Sequence, residues 1–353
     1  MSKSWILLNK MRSGNAIWSD YSEFINLQYN EIIPFLDLAQ EITKKNFGDV
    51  LKIYNPTKRF PAISITGSEC ALVCEHCNKK YLKGMKEIVD NRNLEQFLRD
   101  LYKNGGVGAL ISGGSRLDGS IPILNFLDTI KKVKNETNLV INTHTGLLHQ
   151  ETAQKLADAN VDIVSFDVNM DEDVVRNIYH LNIELSEYKR AIDLLKKYNL
   201  NIVPHICVGL HYGKINKELE SIKFIKETLV NPSLIVVIVL IPPKNSKLKF
   251  DTPKPEDIAK VITLLRFIFP ESEISLGCMR PRGSIKTEVE KWAIRAGITR
   301  IEIPSKETLK WLKNHNHEVQ FKFFSACCAI PKEYEKFAES YKSDIKRYKN
   351  LEN

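Results

Sequence analysis

The most specific chemistry in this 353-residue chain lies within eight residues: Cys70-Ala-Leu-Val-Cys74-Glu-His-Cys77, a C-x3-C-x2-C triplet. Three thiolates on one short loop can converge on three corners of an iron–sulfur cubane and leave the fourth iron without a protein ligand. A small molecule can then chelate that open iron. Zinc is the competing occupant, but a structural zinc needs a fourth protein ligand and usually comes as paired C-x2-C halves. No second half follows. The chain has seven cysteines, and the other four are Cys207, Cys278 and the vicinal pair Cys327 and Cys328. No side chain stands out as an acid, base or nucleophile.

The elements that must position these thiols alternate. Eight short apolar runs read as strands: Ala62–Thr66, Val107–Gly114, Leu139–Thr145, Asp162–Asn169, Asn201–Gly209, Leu234–Ile241, Glu273–Arg280 and Arg300–Pro304. Between them, apolar residues recur at spacings of three and four, as in Ile192, Leu195 and Tyr198, which is the period of an amphipathic helix. Strand–helix alternation means parallel βαβ units, and near-continuous apolar runs mean strands covered on both faces. Eight such units predict an α/β fold of the (β/α)8 barrel kind, with chemistry at the C-terminal ends of the strands. The cysteine triplet directly follows the first strand; Cys207 and Cys278 end the fifth and seventh.

The reading divides the chain into an N-terminal helical extension at 1–60, the barrel at 61–305 and a C-terminal extension at 306–353. The longest apolar stretch, Leu234 to Pro243, is about half a membrane span, and the apolar run near the N-terminus is far too short for a signal peptide. The expectation is a cytoplasmic protein without a membrane partner, in which cysteines serve as ligands or free thiols. The net charge is +8, with acidic and basic residues mixed through the helical stretches. No aromatic–basic interleaving points to nucleic acid.

In its triplet and its strand–helix alternation the chain resembles the radical S-adenosylmethionine (SAM) superfamily. The resemblance implies a TIM-type radical SAM barrel whose [4Fe–4S] cluster is held by Cys70, Cys74 and Cys77. SAM then chelates the fourth iron, and reduction releases a 5′-deoxyadenosyl radical. It also implies SAM contacts from His76 beside the adenine and from Gly113, Gly114 and Ser115, with Ser115 where Glu is usual. Asp167 and Asn169 would meet the ribose, and Arg190 the carboxylate. Thr152-Ala-Gln-Lys-Leu-Ala-Asp-Ala-Asn-Val-Asp, Asn169-Met-Asp, Val208-Gly-Leu and Ser275 to Arg280 look like biotin synthase. The cysteines which that enzyme carries on strands two and three are absent; Leu110, Ile111, Ile141 and Asn142 stand there.

Cys207, Cys278, Cys327 and Cys328 are read as supplying three or four ligands to a second, auxiliary iron–sulfur cluster, from a C-terminal tail folded back over the barrel mouth. Ser325 is a conceivable oxygen ligand, and one of the vicinal pair can be free. A buried cysteine can instead serve as a small apolar residue, and the Cys-Cys pair as a redox-active or persulfide-carrying unit.

The pattern is similar to archaeal two-component lipoyl synthases. That resemblance implies sulfur insertion into unactivated C–H bonds of a protein-bound octanoyl chain, with the auxiliary cluster as sulfur donor. The partners it implies are an acidic lipoyl carrier protein or peptide, a second radical SAM protein and a reductant such as ferredoxin. The alternatives are a biotin synthase-like or other radical SAM enzyme using SAM as oxidant, or a non-enzymatic iron–sulfur or zinc protein.

Overall fold

The computed structural model describes residues 3–351. Helices α1 (Lys3–Arg12), α2 (Trp18–Ile25) and α3 (Ile33–Phe47) come first, then strands β1 (Val50–Tyr54), β2 (Ala62–Ser64) and β3 (Lys86–Glu87). Helix α4 (Asn91–Lys103) opens a regular alternation: β4 (Gly108–Ser112), α5 (Leu127–Glu136), β5 (Val140–His144), α6 (Gln150–Asp158) and β6 (Ile163–Asp167). It continues through α7 (Ser186–Lys197), β7 (Ile202–Val208), α8 (Glu218–Leu229), β8 (Leu234–Val239) and α9 (Pro255–Ile268). Then come β9 (Glu273–Leu276), α10 (Ser284–Arg295), β10 (Arg300–Glu302), α11 (Lys306–His315), β11 (Gln320–Phe324) and the one-turn α12 (Glu335–Ala338). Among the described residues no helix is long and apolar enough to cross a membrane.

The local causes are ordinary. Asp90 caps α4 by accepting from the Asn93 N–H, and Leu94, Leu98 and Leu101 line its buried face, an apolar stripe at helical spacing. Ser305 caps α11 by accepting from Thr308 N–H. β8, Leu-Ile-Val-Val-Ile-Val, is apolar at every position because helices cover one face and the barrel interior the other.

All eight expected strands are present and every strand pairing is parallel. They form one curled sheet of eleven strands in the order β11-β1-β10-β9-β8-β7-β6-β5-β4-β2-β3. The barrel is therefore partial: β10 pairs with β1 instead of β2, and the sheet ends at β11 and β3. The segment expected to be wholly helical, 1–60, contributes strand β1, which carries β11 on its other edge.

The C-terminal tail corrects a second expectation. Instead of lying over the mouth, it packs inside the sheet at the N-terminal ends of the strands. Phe324, Ala326, Cys328, Ala329 and Ile330 join Val140, Ile163, Val203, Leu234 and Val236 in one apolar cluster. A buried polar knot fastens it. Glu335 accepts from Tyr54 Oη at 2.7 Å, from Lys52 Nζ at 2.8 Å and from Arg300 Nη2 at 2.8 Å, and Arg300 also pairs with Glu273.

Candidate active site

The loop from Ile65 to Lys80 leaves the C-terminal end of β2 and is docked on two sides. On one side, the Ala71 N–H donates to the Ser115 carbonyl at 2.8 Å and the Ser115 N–H points at Cys70 Sγ at 3.3 Å. On the other, a wide π-helical turn at Val174–Ile178 presents its last carbonyls. Glu75 N–H donates to Ile178 O at 2.9 Å, and Cys74 Sγ lies 3.6 Å from Tyr179 O. Single π turns are often found at functional sites because they re-aim backbone groups.

After Cys77 the chain bends through two left-handed residues, Asn78 (φ 43°) and Lys79 (φ 61°), so that the N–H groups of Tyr81, Lys79 and Lys80 favour the Cys77 thiolate. Burial dominates them and pushes that thiol up; burial and the neighbouring Cys77 and Cys70 push Cys74 up to about 12. Thiols held up in this way become thiolates together only when a cation sits among them. The donor set fits the iron of a cluster.

Gly114 also has a packing role. A Cβ there would lie 2.0 Å from the Glu69 carbonyl and 2.6 Å from Cys70 Cα. Its bareness lets β4 meet the cysteine loop. Gly113 is less confined, with Thr66 side-chain atoms 3.1 Å from its virtual Cβ.

Beneath the loop the inner face of the sheet is polar. On alternating positions, which share one face of a strand, Asn142 and His144, Ser165 and Asp167, and His205 and Cys207 come together. Ser165 Oγ donates to Asn142 Oδ1 at 3.0 Å, His144 Nδ1 lies 3.5 Å from Asp167 Oδ2, and the His144 and His205 rings stand 5.2 Å apart. Protein surrounds Asp167, yet 60% of its side chain is accessible, so it projects into the barrel hollow. Burial works to raise its carboxyl, and His144, His205 and His76 outweigh it, leaving it below the usual value.

His76 reaches this group from above. Its ring is 5.3 Å from that of Tyr179, its Nδ1 is buried without a partner, and burial pushes it down to about 4 against the pull of Asp167. A buried orphan nitrogen beside an open carboxylate suits a polar ligand. Asn169 joins through Nδ2, 3.3 Å from Tyr179 Oη. Arg190 does not join. It is exposed on α7 with its guanidinium on Glu187 at 2.6 Å, so the expected carboxylate contact has no support in the geometry.

The four remaining cysteines divide. Glu302 carboxylate oxygen, Cys327 Sγ and Cys328 Sγ lie within 4.8 Å of one another; Cys278 is exposed beyond the end of β9, its thiol pushed up by Glu302, then by burial and Cys327. Cys207 stays apart, packed near Tyr179 and Tyr212, its thiol raised by burial and then by Asp167 and Glu218. Ser325 is occupied elsewhere, by Ser340 Oγ at 2.9 Å and Asp344 Oδ2 at 2.7 Å. Arg280 is saturated by Glu290 and the carbonyls of Gly277, Glu302 and Ile303. Burial, and then Cys77 and Cys207, push the Tyr81 phenol up. A surface groove of about 900 Å³ beside Tyr29, Lys214 and Lys260 holds none of the cysteines.

Sequence reasoning missed Glu302, Tyr81, Tyr179, His144 and His205. The signal was present for Glu302, a carboxylate between Ile301 and Ile303 in a strand otherwise expected to be apolar.

Residues 64–225 match the family model described as Radical SAM superfamily. The chain is similar to biotin synthases at low identity. That of Leptospira biflexa serovar Patoc is 24% identical over 257 residues, covering 70% of this chain and 69% of the relative. That of Buchnera aphidicola subsp. Baizongia pistaciae is 24% identical over 266 residues, 72% and 74% of the two chains. Among solved structures, the FeFe-hydrogenase maturase HydG from Carboxydothermus hydrogenoformans superposes with a TM-score of 0.69 at 14% identity, over 94% of this chain and 81% of its own. Methylornithine synthase (PylB) superposes with 0.59 at 16% identity, over 84% and 85%. The structural likenesses establish the fold.

Proposed function

We propose that this protein inserts sulfur into unactivated C–H bonds of a protein-bound octanoyl chain, as in lipoyl cofactor synthesis, with an auxiliary iron–sulfur cluster as the sulfur donor. In this reading Cys70, Cys74 and Cys77 hold the first cluster. With SAM, that cluster would supply radical chemistry, needed because such a carbon has no acidic proton for a base to remove. The residues of the chain bind, orient and exclude water. His76 and Tyr179 would flank the nucleoside, Asp167 would offer its carboxylate to the ribose, and the Ser115 N–H would steady Cys70.

The observation that carries the reading is the second thiol group. Support for it comes from Cys327 and Cys328, whose Sγ atoms lie within 4.8 Å of each other and of the Glu302 carboxylate, with Cys278 as the third sulfur ligand of the proposed cluster. A substrate chain in the hollow would lie between the two centres. The biotin synthase relatives favour sulfur insertion among radical SAM reactions. The net charge of +8 suits an acidic carrier protein, and an external reductant such as ferredoxin would charge the first cluster.

The test is mass spectrometry of an octanoylated carrier peptide incubated anaerobically with reconstituted protein, SAM and reductant, alone and with a second radical SAM protein. The reading expects a product heavier by one sulfur. An unchanged peptide in both incubations, with SAM consumed, would reject the substrate. About four irons per chain instead of about eight would remove the sulfur donor.

A further inference from the structure

Resting on the auxiliary-cluster reading, we propose that Glu302 is a ligand of that cluster, binding one iron through a carboxylate oxygen while Cys278, Cys327 and Cys328 bind through sulfur, and that Cys207 is not a ligand.

The argument starts from charge. Glu302 is 4% exposed, and a buried carboxylate is tolerated when it is paired or coordinates a metal. Its buried neighbours obey the first rule. Glu273 has Lys52 and Arg300, Glu335 has the same two cations, and Glu290 has Arg280 and Lys286. Glu218 has no cation but accepts two backbone N–H groups, from Gly209 at 2.8 Å and Asn216 at 2.7 Å. Among the described residues no Lys, Arg or His forms an ion pair with Glu302; its backbone contact is one long bond, from Cys328 N–H at 3.4 Å. Arg280 is close, yet it donates to the Glu302 carbonyl and gives its charge to Glu290.

What does face the carboxylate is sulfur. Cys327 Sγ and Cys328 Sγ lie within 4.8 Å of it. Glu302, Cys327 and Cys328 are close enough together to bind one cation as anions. Three soft sulfur donors and one oxygen suit iron. Zinc accepts the same donors, but only a cluster contains inorganic sulfide to give to a product. Carboxylate oxygen is a harder ligand than thiolate, so the Glu302 bond is the most readily exchanged of the four. Arg300 supports the geometry by donating to the carbonyls of Cys328 and Ile330.

The experiment compares the full-length chain with Glu302→Gln, Glu302→Cys and Cys207→Ala, each reconstituted anaerobically with isotopically enriched iron. Iron, acid-labile sulfide and Mössbauer spectra are measured, with thermal unfolding as a check on folding. The proposal expects two clusters in the wild type and in Cys207→Ala. Glu302→Gln should lose the second cluster to a chelator about 10-fold faster or more. Glu302→Cys should keep it with one iron changed towards thiolate parameters, and this variant serves if Glu302→Gln fails to fold. Unchanged retention in Glu302→Gln, together with an unchanged spectrum in Glu302→Cys, overturns the Glu302 assignment while the two-cluster reading stands. A wild type with one cluster only, or with stoichiometric zinc and no second set of sulfide, overturns both.

Discussion

At the scale of single residues, the cysteine motif was legible because it is local: three thiols in eight residues need no tertiary information. The partners of the loop were not, since Ser115 and Tyr179 come from other parts of the chain. Gly114 shows the difference. Its dipeptide suggested room for a ligand, whereas the structure gives it a packing duty against Glu69 and Cys70. Gly114→Ala should cost about 1–3 kcal/mol or more and halve cluster incorporation, while Gly113→Ala should be milder. Unfolding midpoints and iron content after reconstitution compare the two.

A pH effect belongs to this scale as well. Burial, aided by His144, pushes His205 down to about 4, although its Nδ1 lies 3.0 Å from the Val203 carbonyl. The folded state keeps the ring neutral where the unfolded chain, with an ordinary value of about 6.5, takes up a proton. Stability from this residue is complete above about pH 6.5 and falls as pH drops towards 4, by up to about 3 kcal/mol. Denaturant unfolding of wild type and His205→Asn at pH 7 and pH 5 should show the drop in the first and a flatter response in the second.

At the scale of elements, all eight barrel strands were readable because parallel strands covered on both faces are continuous apolar runs. β1 and β11 were not read. β11, Gln-Phe-Lys-Phe-Phe, lies at the sheet edge with exposed polar residues between its aromatics, and β1 pairs with β10 across about 250 residues of chain. The tail's inward path followed from neither pattern, since it depends on Glu335 meeting Lys52, Tyr54 and Arg300. Breaking one member of such a buried network leaves uncompensated charge and costs about 3–5 kcal/mol. Glu335→Ala should therefore loosen the tail selectively. Hydrogen exchange over residues 320–340 should accelerate and Cys328, 2% exposed, should become reactive to a thiol reagent. Uniform exchange across the whole barrel would show that the network stabilises the fold without fastening the tail.

At the scale of the whole molecule, the curled sheet runs from β3 to β11 and brings the tail's Cys327 and Cys328 beside Glu302 at the end of β10. Arg190 marks where family likeness outran geometry: its helix was placed well, but its side chain faces outward to Glu187. The approach of Cys327 and Cys328 to Glu302 is a product of topology that spacing in the chain does not encode. Every functional proposal still depends on the first centre.

The direct measurement is release of 5′-deoxyadenosine from SAM by the anaerobically reconstituted protein under dithionite. Wild type should form it, and Cys74→Ala, still folded by circular dichroism, should form none. A wild type that leaves SAM intact, or whose Cys70–Cys77 loop holds tetrahedral zinc, would contradict the account.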